Sequence, residues 1–558
     1  MKKSFIISAI FICFCFLNNP SYTQSPGWIW AKSAGSNQFD YSVSVAVDRF
    51  GNSYVTGGFT DMITFGTETL TAGGTGEFVV KYDAGGNVLW ARSGDSPAND
   101  GVCSVAVDPV GNVYMSGYLA GTYIVFDTVT LLNGGHFAAF ITKYDAGGNV
   151  LWARAGWTQP SAFGPTTTEM SGVVADSSGN LYGTGSFESS TLTLGSHVLH
   201  NKGDFDLFLV KYDPDGNVLW AKSAGGTRSD FSVSVARDRS GNILTAGYYS
   251  SPVLILGTDT LKCPEPSSSN TLLVKYDTTG KILWARSGGT TGIQRGEAVA
   301  TDTSGNVYMT GVFESPTIIF GSDTLTNASD EFDIFLVKYD AGGNVLWARS
   351  AGSTSWDNAT SVAVDASGNP YVTGSFESSR LIIGADTLYN PGVTSIFLAK
   401  YDYNGNVLWA KSAGFSLNDA AASVAADRSG NVFITGSFSS PKLIFGADTL
   451  INTNYDIMYG YCDMFLAKAG SNTGFAELRN SPGISVFPNP ATDKIIIETS
   501  ATPVNSQLSI INLNAQELIT QKISERKTVI RISNLPNGIY FIRLTNDQSV
   551  DIGKFIKQ

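Results

Sequence analysis

Histidine is nearly missing from this chain: of 558 residues, only His136, His197 and His200 carry an imidazole. That scarcity removes most nucleophile–base pairs and most zinc sites, which rely on imidazole as base or ligand. His197 and His200 stand three apart, whereas residues two apart share a strand face, and no third ligand accompanies them. There is no Gly-x-Ser-x-Gly elbow, phosphate-binding loop or paired-cysteine zinc spacing. Cysteine is also sparse. Of five, Cys13 and Cys15 fall in the amino-terminal apolar run, which leaves Cys103, Cys263 and Cys462, an odd number in different parts of the chain. Disulfides are therefore not the framework. Charged side chains make up 15% with a formal net charge of −12, so the basic face needed for nucleic-acid phosphates is absent. Beyond Leu17 no apolar run is long enough to cross a bilayer as a helix. The run itself, Met1-Lys-Lys-Ser-Phe5 and onward, has the charged start and short apolar core of a secretory signal peptide over residues 1–24. No lipoprotein box surrounds its cysteines.

What the chain has in plenty is glycine, 60 residues, and aromatic side chains, 12%. This is the composition of many turns and strands. Tryptophan marks a period: Trp30, Trp90, Trp152, Trp220, Trp284, Trp347 and Trp409 recur at intervals of 60 to 68 residues. Within one copy, Ala298-Val-Ala-Thr meets Asp302-Thr-Ser-Gly305-Asn306 and returns as Val307-Tyr-Met-Thr-Gly311. Asp bonds backbone amides ahead of it and Gly supplies positive φ, so this is a hairpin. A second hairpin follows, Phe335 to Asp340 and back along Val345 to Arg349. Alternation puts Val, Leu and Trp between sheets and sends Lys and Arg toward solvent or the edge. The first turn recurs at Asp48, Asp108, Asp176, Asp238, Asp302, Asp365 and Asp427. Four strands make one blade, which exposes apolar surface on both faces, so copies must stack. The last copy stops at Lys468 without its Trp strand, and the first begins with Trp28 to Ser33 unpaired. The expected fold for residues 25–469 is all-β: a seven-bladed propeller of four-stranded blades, closed by the amino-terminal strand.

The units resemble the bacterial surface-protein β-propeller repeats known as SBBP, through Val-Ala-Val-Asp48-x-x-Gly51-Asn52 and Lys81-Tyr-Asp83-x-x-Gly86-Asn87-Val-Leu-Trp90. That resemblance implies a module and names no reaction. A linker is expected over 470–483, and alternating runs from residue 484 to 558 suggest a small Ig-like β-sandwich of about seven strands. Its Val486-Phe-Pro-Asn-Pro490, Leu535-Pro-Asn-Gly-Ile-Tyr540 and Lys554-Phe-Ile-Lys557 resemble the type A C-terminal sorting domain of the Bacteroidetes type IX secretion route. The resemblance implies export through that machinery, with the protein secreted or displayed at the outer-membrane surface.

Candidate functional residues are those that depart from the repeat. Asp40, Asp100, Asp230, Asp357 and Asp419 lie eight residues before the inner turns, with Thr168 and Gln294 in the other two registers. They either cap the loops between blades or form an acidic rim that holds a cation or a hydroxyl-rich ligand. Trp157 and Trp356 lie outside the repeat positions, and the last copy carries Tyr455, Tyr459 and Tyr461. Such rings stack on sugars, grip a protein partner or pack their own loops. No catalytic set, cofactor or metal site is assigned, though calcium at the Asp turns is compatible with their oxygens. The expected role is an exported binding or adhesion scaffold for a glycan or extracellular protein. The alternatives are a polysaccharide-acting propeller enzyme and a structural surface component.

Overall fold

The computed structural model describes residues 27–558 except 37, 99, 134–136, 159–166, 264, 453–454, 456–459, 471–483, 500–505, 513–516 and 546–549. The expected signal peptide and nearly all of the expected linker therefore lie outside the described residues. The described residues are all β, with no helix among them. The chain divides into two compact units, Met1–Ser471 and Asn472–Gln558.

Beside smaller two- and three-stranded sheets, the first unit holds seven larger antiparallel sheets in which four strands follow one order; the first of them continues through Tyr123–Phe126 and Val129–Leu132. In the fifth, Gln294–Thr301, Val307–Phe313, Asp333–Tyr339 and Val345–Ala351 run from the inner strand to the outer. The turn chemistry is the one read from the sequence: Asp302 Oδ1 accepts N–H bonds from Ser304 (2.9 Å) and Asn306 (2.9 Å), Oδ2 accepts Asn306 Nδ2 (2.7 Å), and Gly305 sits at φ +83. In the seventh sheet the outer strand is Gly27–Ala34, paired with Asp463–Gly470 in the register Trp30↔Lys468. The fifth sheet shows the same register as Lys338↔Trp347.

Successive sheets are tied at two places along their strand order. Each inner strand bulges just before Ser44, Ser104, Gly172, Ser234, Ala298, Ser361 or Ser423. Where serine stands there, its hydroxyl accepts an N–H bond from the next inner strand: Val105 to Ser44, Val173 to Ser104, Val299 to Ser234, Val424 to Ser361, and Val45 to Ser423, at 3.1–3.3 Å. Further out, indole N–H groups reach turn carbonyls of the next sheet, as Trp90 does to Ala146 (3.1 Å) and Trp30 to Ala84 (3.3 Å). The ties from the seventh sheet to the first thus match those between chain neighbours. Between sheets the core is apolar: Tyr308, Leu336 and Trp347 of the fifth pack on Val362, Phe397 and Ala399 of the sixth.

Two features differ from the sequence reading. The lysines of the third strands are not at the edge: Lys143, Lys275, Lys338 and Lys468 are buried. Lys338 lies over the Tyr308 ring (5.0 Å) and donates to Tyr403 O (3.0 Å), because the aliphatic stem fills the space between sheets and the turn carbonyl solvates the ammonium. Each copy also carries an extra hairpin between its second and third strands, such as Thr317–Phe320 with Asp323–Thr326. In the fourth to seventh copies its Asp latches the outer strand, as where Asp323 Oδ2 accepts Ala348 N (2.9 Å) and Asp448 Oδ2 accepts Ala31 N (2.8 Å) from the amino-terminal strand; Glu68, Val129 and His197 stand there in the first three.

The second unit has seven strands among the described residues. Ile484–Phe487, Lys494–Thr499 and Lys527–Arg531 form one sheet; Glu517–Ile523, Ser506–Ile511, Gly538–Thr545 and Val550–Lys557 form another. Ile495, Ile497, Leu508, Ile510, Ile530, Ile542 and Phe555 share one core, as their alternation along the strands requires.

Candidate functional site

The acids eight residues before the inner turns are buried at the inner-strand starts. Asp40, Asp230, Asp357 and Asp419 are 0% exposed and Asp100 5%. Asp230 Oδ2 accepts Gly226 N (2.7 Å) and Ser251 Oγ (2.7 Å); Asp357 Oδ2 accepts Ser353 N (2.8 Å) and Ser378 Oγ (3.1 Å); Asp419 Oδ2 accepts Phe415 N (2.9 Å) and Ser440 Oγ (2.7 Å). Asp100 Oδ1 takes Ala120 N and Gly121 N, and Asp40 Oδ2 takes Ser36 N. Four of the five, Asp100 apart, thus fasten the loop that precedes their own strand; Asp100, Asp230, Asp357 and Asp419 also fasten the turn that leaves the second strand. Burial is the main cause that raises Asp40 and Asp357 to about 7 and Asp419 to about 6, and it also raises Asp100 and Asp230.

The aromatic candidates stand at the surface. Trp157 is 46% exposed, Trp356 51% and Tyr455 43%. Trp157 belongs to a two-residue strand paired with Thr191–Leu194. Trp356 directly precedes the buried Asp357, so the anchored acid sets its position; its indole N–H donates to Glu331 Oε2 and its ring meets the edge of Phe332 at 5.3 Å. Tyr461 is half-buried and meets Phe39 edge to face at 5.2 Å. Tyr459 lies outside the described residues. Trp157 and Trp356 belong to different inter-sheet loops, and no ring contact joins them.

The sequence reading passed over a set of side chains on the inner strands themselves. The residue after each rim position is Tyr41, Gly101, Glu169, Phe231, Arg295, Asn358 or Ala420, and two residues further stand Cys103, Ser171 and Glu297 among others. Ser171 Oγ donates to Glu169 Oε1 (3.1 Å); the Arg295 guanidinium lies 5.2 Å from the Tyr248 ring, which stacks obliquely on Phe231 at 4.9 Å. Burial raises the Glu297 carboxyl, opposed by Arg295. Comparing the seven copies at this one register would have exposed the set, since charge appears there only in the third and fifth copies. Among the described residues no group of three or more His, Cys, Asp or Glu side chains could hold a metal ion, and the turn aspartates spend their oxygens on their own turns.

The two-sheet unit at the C terminus coincides with the segment that carries the Val486-Phe-Pro-Asn-Pro490 and Leu535-Pro-Asn-Gly motifs. Residues 485–558 match the secretion system C-terminal sorting domain. The sorting domain supports an exported or cell-surface protein that engages a secretion machinery. The chain is 28% identical across 438 residues to an uncharacterized WD repeat-containing protein of Acanthamoeba polyphaga mimivirus, covering 64% of this chain and 31% of that one. It is 28% identical across 187 residues to the regulatory protein FlaEY of Caulobacter vibrioides, covering 32% of this chain and 19% of that protein. The chain therefore spans under a third of these curated relatives. Among solved structures, PorZ, a surface component of the type-IX secretion system of Porphyromonas gingivalis, aligns over 95% of this chain and 100% of its own at 10% identity and a TM-score of 0.18. Puromycin hydrolase aligns over 83% of this chain and 58% of its own at 12% identity and a TM-score of 0.39. Both scores are too low to carry a fold assignment.

Proposed function

We propose that residues 25–469 are a seven-bladed propeller of SBBP-like repeats, closed by the amino-terminal strand, that works as an exported binding or adhesion scaffold for glycans. Residues 484–558 address it to the type IX machinery, after signal-peptide-dependent entry into the periplasm. The observation that supports the binding role is the placement of exposed indoles at Trp157 and Trp356 on inter-sheet loops, with Trp356 set by its anchored neighbour Asp357. A loop fixed by a buried carboxylate presents its ring with little ordering entropy left to lose, which favours stacking on a sugar face. In this reading Asp40, Asp100, Asp230, Asp357 and Asp419 position the loops, while Trp157, Trp356, Tyr455, Tyr459 and Tyr461 contact ligand. A glycan array probed with the chain lacking residues 1–24 tests it. Saturable binding weakened roughly tenfold by Trp356→Ala or Trp157→Ala, about 1.4 kcal/mol, is expected. Silence on the array together with depolymerisation of a polysaccharide panel would place the protein among enzymes instead.

A further inference from the structure

At three junctions between successive sheets, two buried carboxylates from different sheets stand at one register. Asp206 opens the third strand of the third sheet and Asp230 the inner strand of the fourth; Asp333 and Asp357 repeat this between the fifth and sixth, and Asp463 opens the third strand of the seventh while Asp40 directly precedes the inner strand of the first. All six are 0–2% exposed. Asp206 Oδ1, Asp333 Oδ1, Asp357 Oδ1 and Asp40 Oδ1 are shut off from solvent and accept no hydrogen bond. A Cβ on Gly225 would lie 1.9 Å from Asp206 Oδ1 and one on Gly352 1.9 Å from Asp333 Oδ1, so glycine is what admits the carboxylate to the backbone there.

Among the described residues no cation pairs with four of these carboxylates: no Lys, Arg or His forms an ion pair with Asp206, Asp230, Asp333 or Asp357. The Lys202 ammonium is the weakest influence on Asp206, whereas the Lys202 backbone N–H bonded to it ranks second after burial. Burial first, and then the facing carboxylate among smaller causes, push Asp206 up to about 6 and Asp357 to about 7. Lys202 N donates to Asp206 Oδ2 (3.2 Å) and Ala328 N to Asp333 Oδ2 (2.8 Å), which leaves the Oδ1 atoms bare. Buried like charges with few donors are costly, by several kcal/mol per ion, and call for either a shared proton or a counter-ion.

A neutral version of the same junction helps to decide between the two. Between the fourth and fifth sheets the register holds Asn270 and Gln294. A Cβ on Gly289 would lie 2.0 Å from Asn270 Oδ1 and 2.7 Å from Gln294 Oε1, and neither oxygen accepts a hydrogen bond. Their amide orientations are set by bonds from Asn270 Nδ2 to Lys262 O (3.2 Å) and Gln294 Nε2 to Thr291 O (2.7 Å). Two amide oxygens do not share a proton near neutral pH, so a bare buried oxygen at this register does not depend on a titrating pair.

We propose that the Asp206–Asp230 and Asp333–Asp357 pairs, and at the same register Asp463–Asp40, each hold a calcium ion that bridges adjacent sheets. Paired carboxylates with backbone carbonyls and water are the hard oxygen donors that calcium prefers, and the ion would add a bolt to the apolar contacts and hydrogen bonds that already join the sheets. Binding to the folded state alone raises stability by mass action. This reading is independent of any glycan ligand.

Calcium is counted by inductively coupled plasma mass spectrometry on the full chain after equilibration with calcium and desalting, alongside melting with and without chelator. Retained calcium, a lower melting midpoint on chelation that calcium but not sodium restores, and one ion fewer in each of Asp206→Asn and Asp333→Asn are expected. Should either variant fail to fold, the wild-type count and its chelator response decide. No retained calcium, or a count unchanged in both variants, overturns the proposal. So does a midpoint that ignores calcium and rises as pH falls from about 8 to about 5, the mark of proton-sharing pairs.

Discussion

Removing residues 25–35, so that the chain begins near Gln38, deletes the strand Gly27–Ala34 that completes the seventh sheet. Trp30 is 8% exposed, packs on Phe433 at 6.0 Å and donates to Ala84 O in the first sheet. Loss of such a side chain costs about 3–5 kcal/mol. Trp28 meets Phe445 at 4.7 Å, a contact worth about 1 kcal/mol, and the bond from Ala31 N to the Asp448 carboxylate adds about 2 kcal/mol. Before ladder bonds are counted, the deletion removes roughly 6–8 kcal/mol, against a typical total of about 5–15 kcal/mol for a folded domain. An ordinary frayed terminus would cost close to nothing. Circular dichroism melting and limited trypsinolysis of the truncated and untruncated chains measure the difference. Collapse of the midpoint and rapid cleavage of the first and seventh copies are expected, with Trp30→Ala intermediate. Equal melting of the two chains would refute the closure of the propeller by this strand.

Other expectations follow from particular contacts. Ser361→Ala should cost about 1 kcal/mol through the lost Val424 N–H acceptor, while Ala298→Ser, at a copy that lacks the hydroxyl, should stabilise by up to that amount; chemical denaturation reads both. Asp419 at about 6 exceeds its ordinary 3.8, so the folded chain keeps a proton that the unfolded chain has released over that interval. Its contribution is full below about 4 and is lost as pH rises through about 6, about 3 kcal/mol in all, and Asp419→Asn should remove that share of the pH slope in melting scans. A chain ending at Ser471 should retain the melting behaviour of the first unit yet fail to reach the cell exterior in fractionation, because the two compact units are separate and the sorting domain lies in the second.

Much of the first unit could be read from residue order because each copy repeats local rules. An Asp-x-x-Gly-Asn turn carries its donors and acceptors within five residues, so Asp302 and Gly305 specify their hairpin without help from the rest of the chain. The extra hairpins escaped notice: strands such as Thr317–Phe320 are only four residues long, and their turns lack the Asn that marks the others. The buried lysines escaped for another reason. Alternation assigns Lys338 a face, but only the neighbouring sheet supplies the Tyr308 ring and the Tyr403 carbonyl that make burial tolerable. The acids at the inner-strand starts were visible as a set, whereas their depth and their partners were not.

The sequence by itself determined the repeat, its turns, the missing strand at each end and the carboxyl-terminal address, since all of these rest on period, spacing or short-range hydrogen bonding. Tertiary structure alone decided that Asp230 N–H bonds the Phe205 carbonyl next to Asp206 and Asp357 N–H the Phe332 carbonyl next to Asp333, and that Trp356 stays exposed beside a buried acid. Each of those outcomes depends on a different copy of the repeat coming within a few ångströms, and contacts between copies are fixed by packing rather than by any pattern along one strand.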